Sequence, residues 1–337
     1  MPPSHQVLVG DCIDMMRTLP DQSVQCCVTS PPYYGLRDYG VDGQIGLEET
    51  PAEFIARLVE VFREVRRVLR DDGTAWVNMG DSYAGSWGAQ GRPQGDGQMS
   101  GRSVTSARQI NEHPRFKSGT GVRGREMGMK SKDLMGIPWR LAFALQDDGW
   151  YLRQDIVWNK PNPMPESVRD RCTKSHEYIF LLSKSKRYYF DQSAIAEQAL
   201  EPRGPGNVEP IESLPGERSS SNSNIRGSLH KIGPRPTRNR RSVWTVATHS
   251  FKGAHFATFP PELIRPCILA GAARGGVVLD PFGGAGTTAV VAMQEGRKSI
   301  LCELNPEYAV MAERRIAAAW LDGAAQMDVF HDSAPAA

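Results

Sequence analysis

Two strand-to-loop junctions, one near each end of the chain, constrain this sequence more than any other feature. The apolar run Val24-Gln25-Cys26-Cys27-Val28 passes into Thr29-Ser30-Pro31-Pro32-Tyr33. Gly276-Val277-Val278-Leu279 passes into Asp280-Pro281-Phe282-Gly283-Gly284-Ala285-Gly286-Thr287-Thr288. A short apolar run closed by proline or glycine reads as a buried strand ending in a tight loop. Both loops therefore sit at strand ends, and the proline-rich one precedes the glycine-rich one.

Strands and helices alternate around these junctions. Val7 to Val9 reads as a strand turning at Gly10-Asp11, and Cys12 to Leu19 as a helix closed by Pro20. Phe54, Leu58, Val61, Phe62, Val65, Val68 and Leu69 have helical spacing, with Thr50 as N-cap, Pro51 at the first position and Glu53 completing a capping box. That helix is expected to stop at Asp72-Gly73. Strands follow at Thr74–Met79, Asp155–Trp158 and Tyr178–Leu182, with a helix over Ile137–Leu145. The C-terminal part reads as helix Pro261–Ala270, strand Val277–Leu279, helix Thr288–Met293, strand Ser299–Cys302 and helix Pro306–Trp320, with a frayed tail after Gly323. Such alternation predicts an α/β fold, with helices on both faces of a mostly parallel, doubly wound sheet.

The 337 residues suffice for one large α/β domain with insertions, the organisation expected for 1–337. Lys+Arg 40 against Asp+Glu 38 leaves a net charge of only +2, so any nucleic-acid surface must come from local clustering. Two stretches supply it. Residues 84–132 are rich in Gly, Ser and Gln and carry Arg92, Arg102, Arg108, Arg115, Lys117, Arg123, Arg125, Lys130 and Lys132. Residues 200–242 end in Lys231, Arg235, Arg238, Arg240 and Arg241. Long loops of this kind are usually functional or disordered, and these read either as solvated surface loops with incidental charge or as loops that close over nucleic acid, where Lys and Arg neutralise phosphates. The second stretch is also a candidate for target recognition. The six cysteines form no Cys-x-x-Cys pair and read as reduced thiols, with no metal site expected. No signal-like segment and no apolar run near the ~18 residues of a membrane span is evident, so a soluble cytoplasmic protein is expected.

The first loop suits a particular chemistry. An amino group on an aromatic base has its lone pair delocalised into the ring, and it attacks an electrophile poorly until acceptors hold its N–H groups. The Ser30 hydroxyl and the Pro31 carbonyl are two such acceptors, Pro31 and Pro32 stiffen the loop, and Tyr33 offers an aromatic face for stacking a flipped base, with Tyr34 as the other platform. Attack at a ring carbon would instead need a cysteine nucleophile, and Cys267 of the single Pro-Cys pair lies inside a predicted helix and reads as core.

In the second loop, Gly283, Gly284 and Gly286 allow close backbone approach to a ligand, and the following helix points free N–H groups at the same place. Glu303 ends the next strand, where a carboxylate can accept two ribose hydroxyls. No lysine follows the glycines, which disfavours a phosphate-binding P-loop. The run is also not the Gly-x-Gly-x-x-Gly of a dinucleotide-binding dehydrogenase.

Thr-Ser-Pro-Pro-Tyr preceding Asp-Pro-Phe-Gly-Gly-Ala-Gly resembles the β group of bacterial and phage DNA amino-methyltransferases, in which the catalytic motif precedes the cofactor motif. The resemblance covers most of residues 7–83, 136–192 and 250–320. It implies a Rossmann-like, class I, circularly permuted S-adenosylmethionine-dependent methyltransferase fold. By the same resemblance Ser30, Pro31, Pro32 and Tyr33 are catalytic. Asp11, Asp280, Phe282, Gly284, Gly286, Thr287, Glu303 and Asn305 bind S-adenosylmethionine, and His255 to Pro260 also line the pocket. Trp158-Asn159-Lys160-Pro161-Asn162-Pro163 is expected to border the base, and Arg37 and Asp38 to orient the catalytic loop. Serine in the first motif position points to cytosine N4 in duplex DNA, with adenine N6 as the alternative. Other readings are an enzyme acting on RNA or protein amides, and a catalytically silent DNA-binding subunit. A homodimer and a separately acting restriction endonuclease also follow from the resemblance.

Overall fold

The computed structural model describes residues 4–36, 40–84, 129–130, 132–199, 236–248 and 259–332, with side chains to residue 321. Most of both basic stretches, Arg37 and Asp38, and His255 to Thr258 lie outside the described residues.

Eight strands form the main sheet. They are β1 (His5–Val9), β2 (Val24–Thr29), β3 (Leu69–Met79), β4 (Tyr151–Asn159), β5 (His176–Ser183), β8 (Val243–Thr245), β9 (Val277–Asp280) and β10 (Lys298–Glu303). Their order across the sheet is β1-β10-β9-β2-β3-β5-β4-β8. All neighbours are parallel except β5, which runs antiparallel to both β3 and β4. The helices are α1 (Cys12–Arg17), α2 (Pro51–Val68), α3 (Ile137–Asp147), α4 (Pro261–Gly271), α5 (Thr287–Gln294) and α6 (Pro306–Asp332). α2 packs on α1 and α3, whereas α5 packs on α4 and α6, giving a helical group on each face. The expected doubly wound, mostly parallel architecture is the one observed.

Local chemistry explains the element ends. Thr50 Oγ1 accepts from Glu53 N–H while the Glu53 carboxylate accepts from Thr50 N–H, so the capping box closes as expected. The apolar face of α2, from Phe54 to Val68, is buried in the largest core cluster together with Tyr34, Met79, Leu141 and Trp150. Gly271 marks a close approach of α4 to the sheet, because a Cβ there would lie 2.5 Å from Cys26 Sγ. Cys267 is buried in that same helix, as expected of a core thiol.

Three expectations need correction. Helix α2 ends at Val68 rather than at Asp72-Gly73, because Leu69 is already extended and pairs with Val24 at the start of β3. An irregularity between that pair and Cys26↔Thr74 absorbs the polar residues 70–73 that look like a turn in the sequence. Helix α6 runs on to Asp332, past the Gly323 where a frayed tail is expected; a single glycine costs about 1 kcal/mol in a helix and does not stop one. Tyr34 is not a surface platform: it is 3 % exposed, packs on Phe54 at 5.3 Å between ring centroids, and donates its hydroxyl to the Glu49 carbonyl.

The described residues fall into two units, 1–190 with 242–337, and 191–241. In the smaller, a 3-10 turn at Ser193–Ile195 leads to β6 (Glu197–Gln198), which pairs antiparallel with β7 (Thr237–Arg238), and Glu197 pairs with Arg238 and Arg241. In the larger, the ends of the first basic stretch are pinned by a Tyr83↔Leu134 bridge and by Ala84 N–H donating to the Asp133 carbonyl at 2.8 Å.

Candidate active site

From β9 the chain winds outward through α5 to β10, and from β2 it winds the other way through α2 to β3. The direction of winding therefore reverses between β9 and β2. Open α/β sheets bind ligands beyond the carboxyl ends of strands at such a point, where loops diverge and leave a crevice. A cavity is found there, and both motifs line it: Ser30 to Tyr33 on one side, Asp280 to Ala285 with Thr287 on the other. Asp11, Glu303 and Asn305 contribute to the same lining, so the two motifs and the acids expected beside them are brought to one cavity.

Their hydrogen bonds separate those that hold the site from those that face it. Asp280 is 2 % exposed. Its Oδ1 accepts from Thr29 Oγ1 at 2.7 Å and from Phe282 N–H at 3.1 Å, and its Oδ2 accepts from Thr288 Oγ1 at 2.7 Å. Burial raises its carboxyl above the usual carboxylate range, and these three donors pull it back. Asp280 thus organises the loop from within.

Glu303 is the more accessible acid. Its Oε2 accepts from Gly284 N–H at 2.7 Å and its Oε1 from Asn305 N–H at 2.9 Å, which clamps the glycine loop to the end of β10. Burial again raises the carboxyl, opposed first by these backbone donors. Gly283 has β10 against it, since a Cβ would lie 2.9 Å from Leu301 Cβ. Gly286 has φ 78° and caps α5 without a side-chain hydrogen bond, leaving the first-turn N–H groups beside Thr287 for another partner.

Asp11 is the N-cap of α1, its Oδ1 accepting from Ile13 N–H at 2.9 Å while its Oδ2 faces Arg57 at 3.4 Å. Asn305 caps α6 by accepting from Glu307 N–H at 2.9 Å. Phe282 is half-buried on the cavity wall.

Sequence reasoning missed several groups here. Arg315 of α6 donates to the Ala285 carbonyl and to Thr287 Oγ1, bracing the glycine loop from behind. Glu177 at the start of β5 accepts from the Tyr33 hydroxyl at 2.7 Å and from Lys160, and Lys160 Nζ also lies 4.2 Å from the Trp158 ring centroid. No local motif announces Glu177, because only the antiparallel course of β5 delivers it to this end of the sheet. Two cysteines, Cys12 and Cys302, also line the cavity. Burial pushes the Cys12 thiol up to about 12 and that of Cys302 upward as well, so both stay protonated and are poor nucleophiles.

A family model described as DNA methylase matches residues 24–314, spanning both loops and the cavity between them. The chain belongs to this DNA methylase family. Among the methylases it resembles is Type II methyltransferase M.Cfr9I of Citrobacter freundii, 49 % identical over 307 residues that cover 91 % of this chain and 86 % of that protein. Among solved structures, the PvuII DNA methyltransferase (cytosine-N4-specific) has a TM-score of 0.58 at 18 % identity, covering 92 % of this chain and 85 % of its own. The Thermus thermophilus protein TTHA0409, complexed with S-adenosyl-L-methionine, has a TM-score of 0.54 at 21 % identity, covering 94 % of this chain and 95 % of its own. Likeness at these identities carries the fold.

Proposed function

We propose that this DNA methylase transfers a methyl group from S-adenosylmethionine to the exocyclic N4 of a cytosine flipped out of duplex DNA. The observation that carries the reading is the juxtaposition of Ser30-Pro31-Pro32-Tyr33 with the Glu303-clamped glycine loop in one cavity. The cavity suits the cofactor. It has a carboxylate placed for ribose hydroxyls, an uncapped helix start for an anionic group, and an apolar wall from Pro281, Phe282 and Leu304. When bound, S-adenosylmethionine supplies an electrophilic methyl group on a sulfonium.

The protein's own part is orientation. Ser30 and the Pro31 carbonyl accept from the base amino group and restore its lone pair, Pro32 keeps the loop from relaxing, and Tyr33 stacks on the base. No covalent enzyme intermediate is required, in keeping with the protonated state of Cys12 and Cys302. Glu303 and Asn305 hold the ribose side, Gly284, Gly286 and Thr287 the methionine side, and Asp280 and Phe282 shape the pocket beside Asp11. The cytosine-N4 specificity in the name of the PvuII enzyme and the serine in the first motif position favour cytosine N4 over adenine N6.

Duplex DNA binding through the basic stretches 84–132 and 200–242 of a single 1–337 methyltransferase domain is part of the proposal, as is a cytoplasmic location. No helix among the described residues is long and apolar enough to cross a membrane. A separately acting restriction endonuclease and a homodimer rest on the family resemblance. Nucleoside analysis of DNA incubated with the protein and labelled cofactor tests the reading: N4-methylcytosine is expected, and N6-methyladenine alone would replace cytosine by adenine as the target.

A further inference from the structure

Tyr33 lines the cavity, yet its ring is held from outside it. The hydroxyl donates to Glu177 Oε2 at 2.7 Å, and the ring edge at Cε2 lies against Gly80, where a Cβ would come within 2.6 Å. Glu177 is not among the lining residues. It is fixed by its own surroundings. Strands β4 and β5 pair Trp158 with Glu177, and Lys160, just past the end of β4, places its Nζ 4.2 Å from the Trp158 ring centroid and pairs with Glu177 Oε1. Lys160 N–H donates to the Ser175 carbonyl at 2.8 Å, which closes the connection from β4 to β5 at its base and keeps Lys160 beside the acid. Asn78 Nδ2 donates to Glu177 Oε2 at 3.4 Å and to the Tyr178 carbonyl at 3.1 Å. The side chains of Glu177 and Lys160 are 15 % and 17 % exposed, so water competes weakly for either. The two ends of Tyr33 are thus tied to different parts of the fold, its backbone to the proline loop after β2 and its hydroxyl to the reversed strand β5.

We propose that Glu177, seated by Lys160 and Asn78, is a positioning residue that anchors the Tyr33 ring by its hydroxyl in the place from which it stacks on the target base. A tyrosine turns about two side-chain torsions, the second of them soft, whereas stacking needs one ring plane at one height. Pro31 and Pro32 stiffen the backbone and leave both torsions free, so the rigidity of the loop does not by itself fix the ring. The hydroxyl is the atom farthest from the backbone, and a hydrogen bond there restrains the ring at the end the loop cannot reach. Gly80 completes the seat by leaving room for the ring edge. Glu177 thereby acts through Tyr33 and touches neither base nor cofactor. The inference deepens the methyl-transfer reading and rests on it.

The test is a double-mutant cycle with a conservative rescue. Single-turnover methyl transfer from labelled S-adenosylmethionine to unmethylated genomic DNA is measured for the wild type, Glu177→Ala, Glu177→Gln, Tyr33→Phe and the Glu177→Ala/Tyr33→Phe double variant. Calorimetric cofactor affinity and thermal midpoint are followed in parallel. Tyr33→Phe keeps the ring and removes only its anchor, and Glu177→Ala removes the anchor from the other side. We expect each to slow transfer about 10- to 100-fold with cofactor Kd within about twofold, the cost of misplacing a group that must align with the base. The double variant should be no slower than the slower single variant, because each change breaks the same bond. Glu177→Gln loses the charge pair with Lys160 but keeps an amide that can bond the hydroxyl, and should transfer within about threefold of the wild type. A structural ion pair would instead make Glu177→Gln as slow as Glu177→Ala. With an active wild type, that result, an unimpaired Tyr33→Phe, or losses that multiply in the double variant overturns the inference while leaving the methyltransferase reading in place. A folded wild type that transfers no methyl group overturns both.

Discussion

Thr29 Oγ1 donates to Asp280 Oδ1 at 2.7 Å, joining the last residue of the catalytic strand to the last residue of the cofactor strand across 251 positions of sequence. Both residues are buried, at 1 % and 2 % exposure. This hydrogen bond, with that of Thr288 Oγ1 to the Val28 carbonyl at 3.4 Å, ties the two motifs together where their adjacent parallel strands end. Asp280→Ala strips an acceptor from Thr29, Thr288 and Phe282 at once. With about 1–3 kcal/mol for each buried group left unsatisfied, a loss of about 2–4 kcal/mol after relaxation is expected in denaturant unfolding, together with loss of cofactor binding. Thr29→Val removes one donor and should cost about 1–2 kcal/mol while slowing methyl transfer more than it weakens the cofactor.

Glu303 predicts a pH dependence. Burial lifts its carboxyl above the ordinary glutamate value of 4.5, so it protonates at a higher pH in the native than in the unfolded state. The native state then binds more protons in that window, and Glu303's own contribution to stability rises as pH falls through the folded pKa toward 4.5 and levels off below. Cofactor affinity moves the other way, because a protonated carboxyl offers fewer acceptors to a ribose. Calorimetric titrations should show affinity falling on acidification with a midpoint above 4.5, and Glu303→Gln should bind weakly with that pH dependence abolished.

Gly80 predicts a steric effect confined to the catalytic side. A Cβ there would lie 2.6 Å from Tyr33 Cε2 and 3.1 Å from the Glu177 carboxylate. Gly80→Ala must displace the ring, at about 1–3 kcal/mol for overpacking. Methyl transfer should fall by more than about tenfold while cofactor affinity, measured on the same preparation, is retained.

Ser30→Ala separates chemistry from binding most directly. The fold around Ser30 is set by its prolines and by Thr29, so stability in denaturant unfolding should stay within about 0.5 kcal/mol of the wild type. Single-turnover transfer should drop about 100-fold, the scale of removing one oriented polar group from a transition state. Unchanged transfer would remove Ser30 from the catalytic set.

Much of this architecture was legible in the chain because its determinants are local. The Thr50/Glu53 capping box, the apolar stripe from Phe54 to Val68, and the glycines and prolines after Val28 and Leu279 each act within a few residues. Together they were enough to place two loops at strand ends and, through their order, to indicate the permuted family. Local signals failed where a longer-range contact outweighed them. Residues 70–73 look like a turn, yet pairing with β2 begins at Leu69. Tyr34 is chemically as good a platform as Tyr33, but Phe54 and the core claim it.

By itself, then, the sequence determined the kinds of element, their order, and the residue types at the two loops, because propensity, capping and turn chemistry depend on neighbours along the chain. Only the tertiary structure decided what those side chains do. It gave one oxygen of Asp280 to Thr29 at the end of β2 and the other to Thr288 in α5, set Glu303 across the glycine loop, and brought Glu177 from the reversed strand β5 to the Tyr33 hydroxyl. The reason is that a hydrogen bond has a direction and a limited number of partners, and which partner arrives is settled by strand order and register in space.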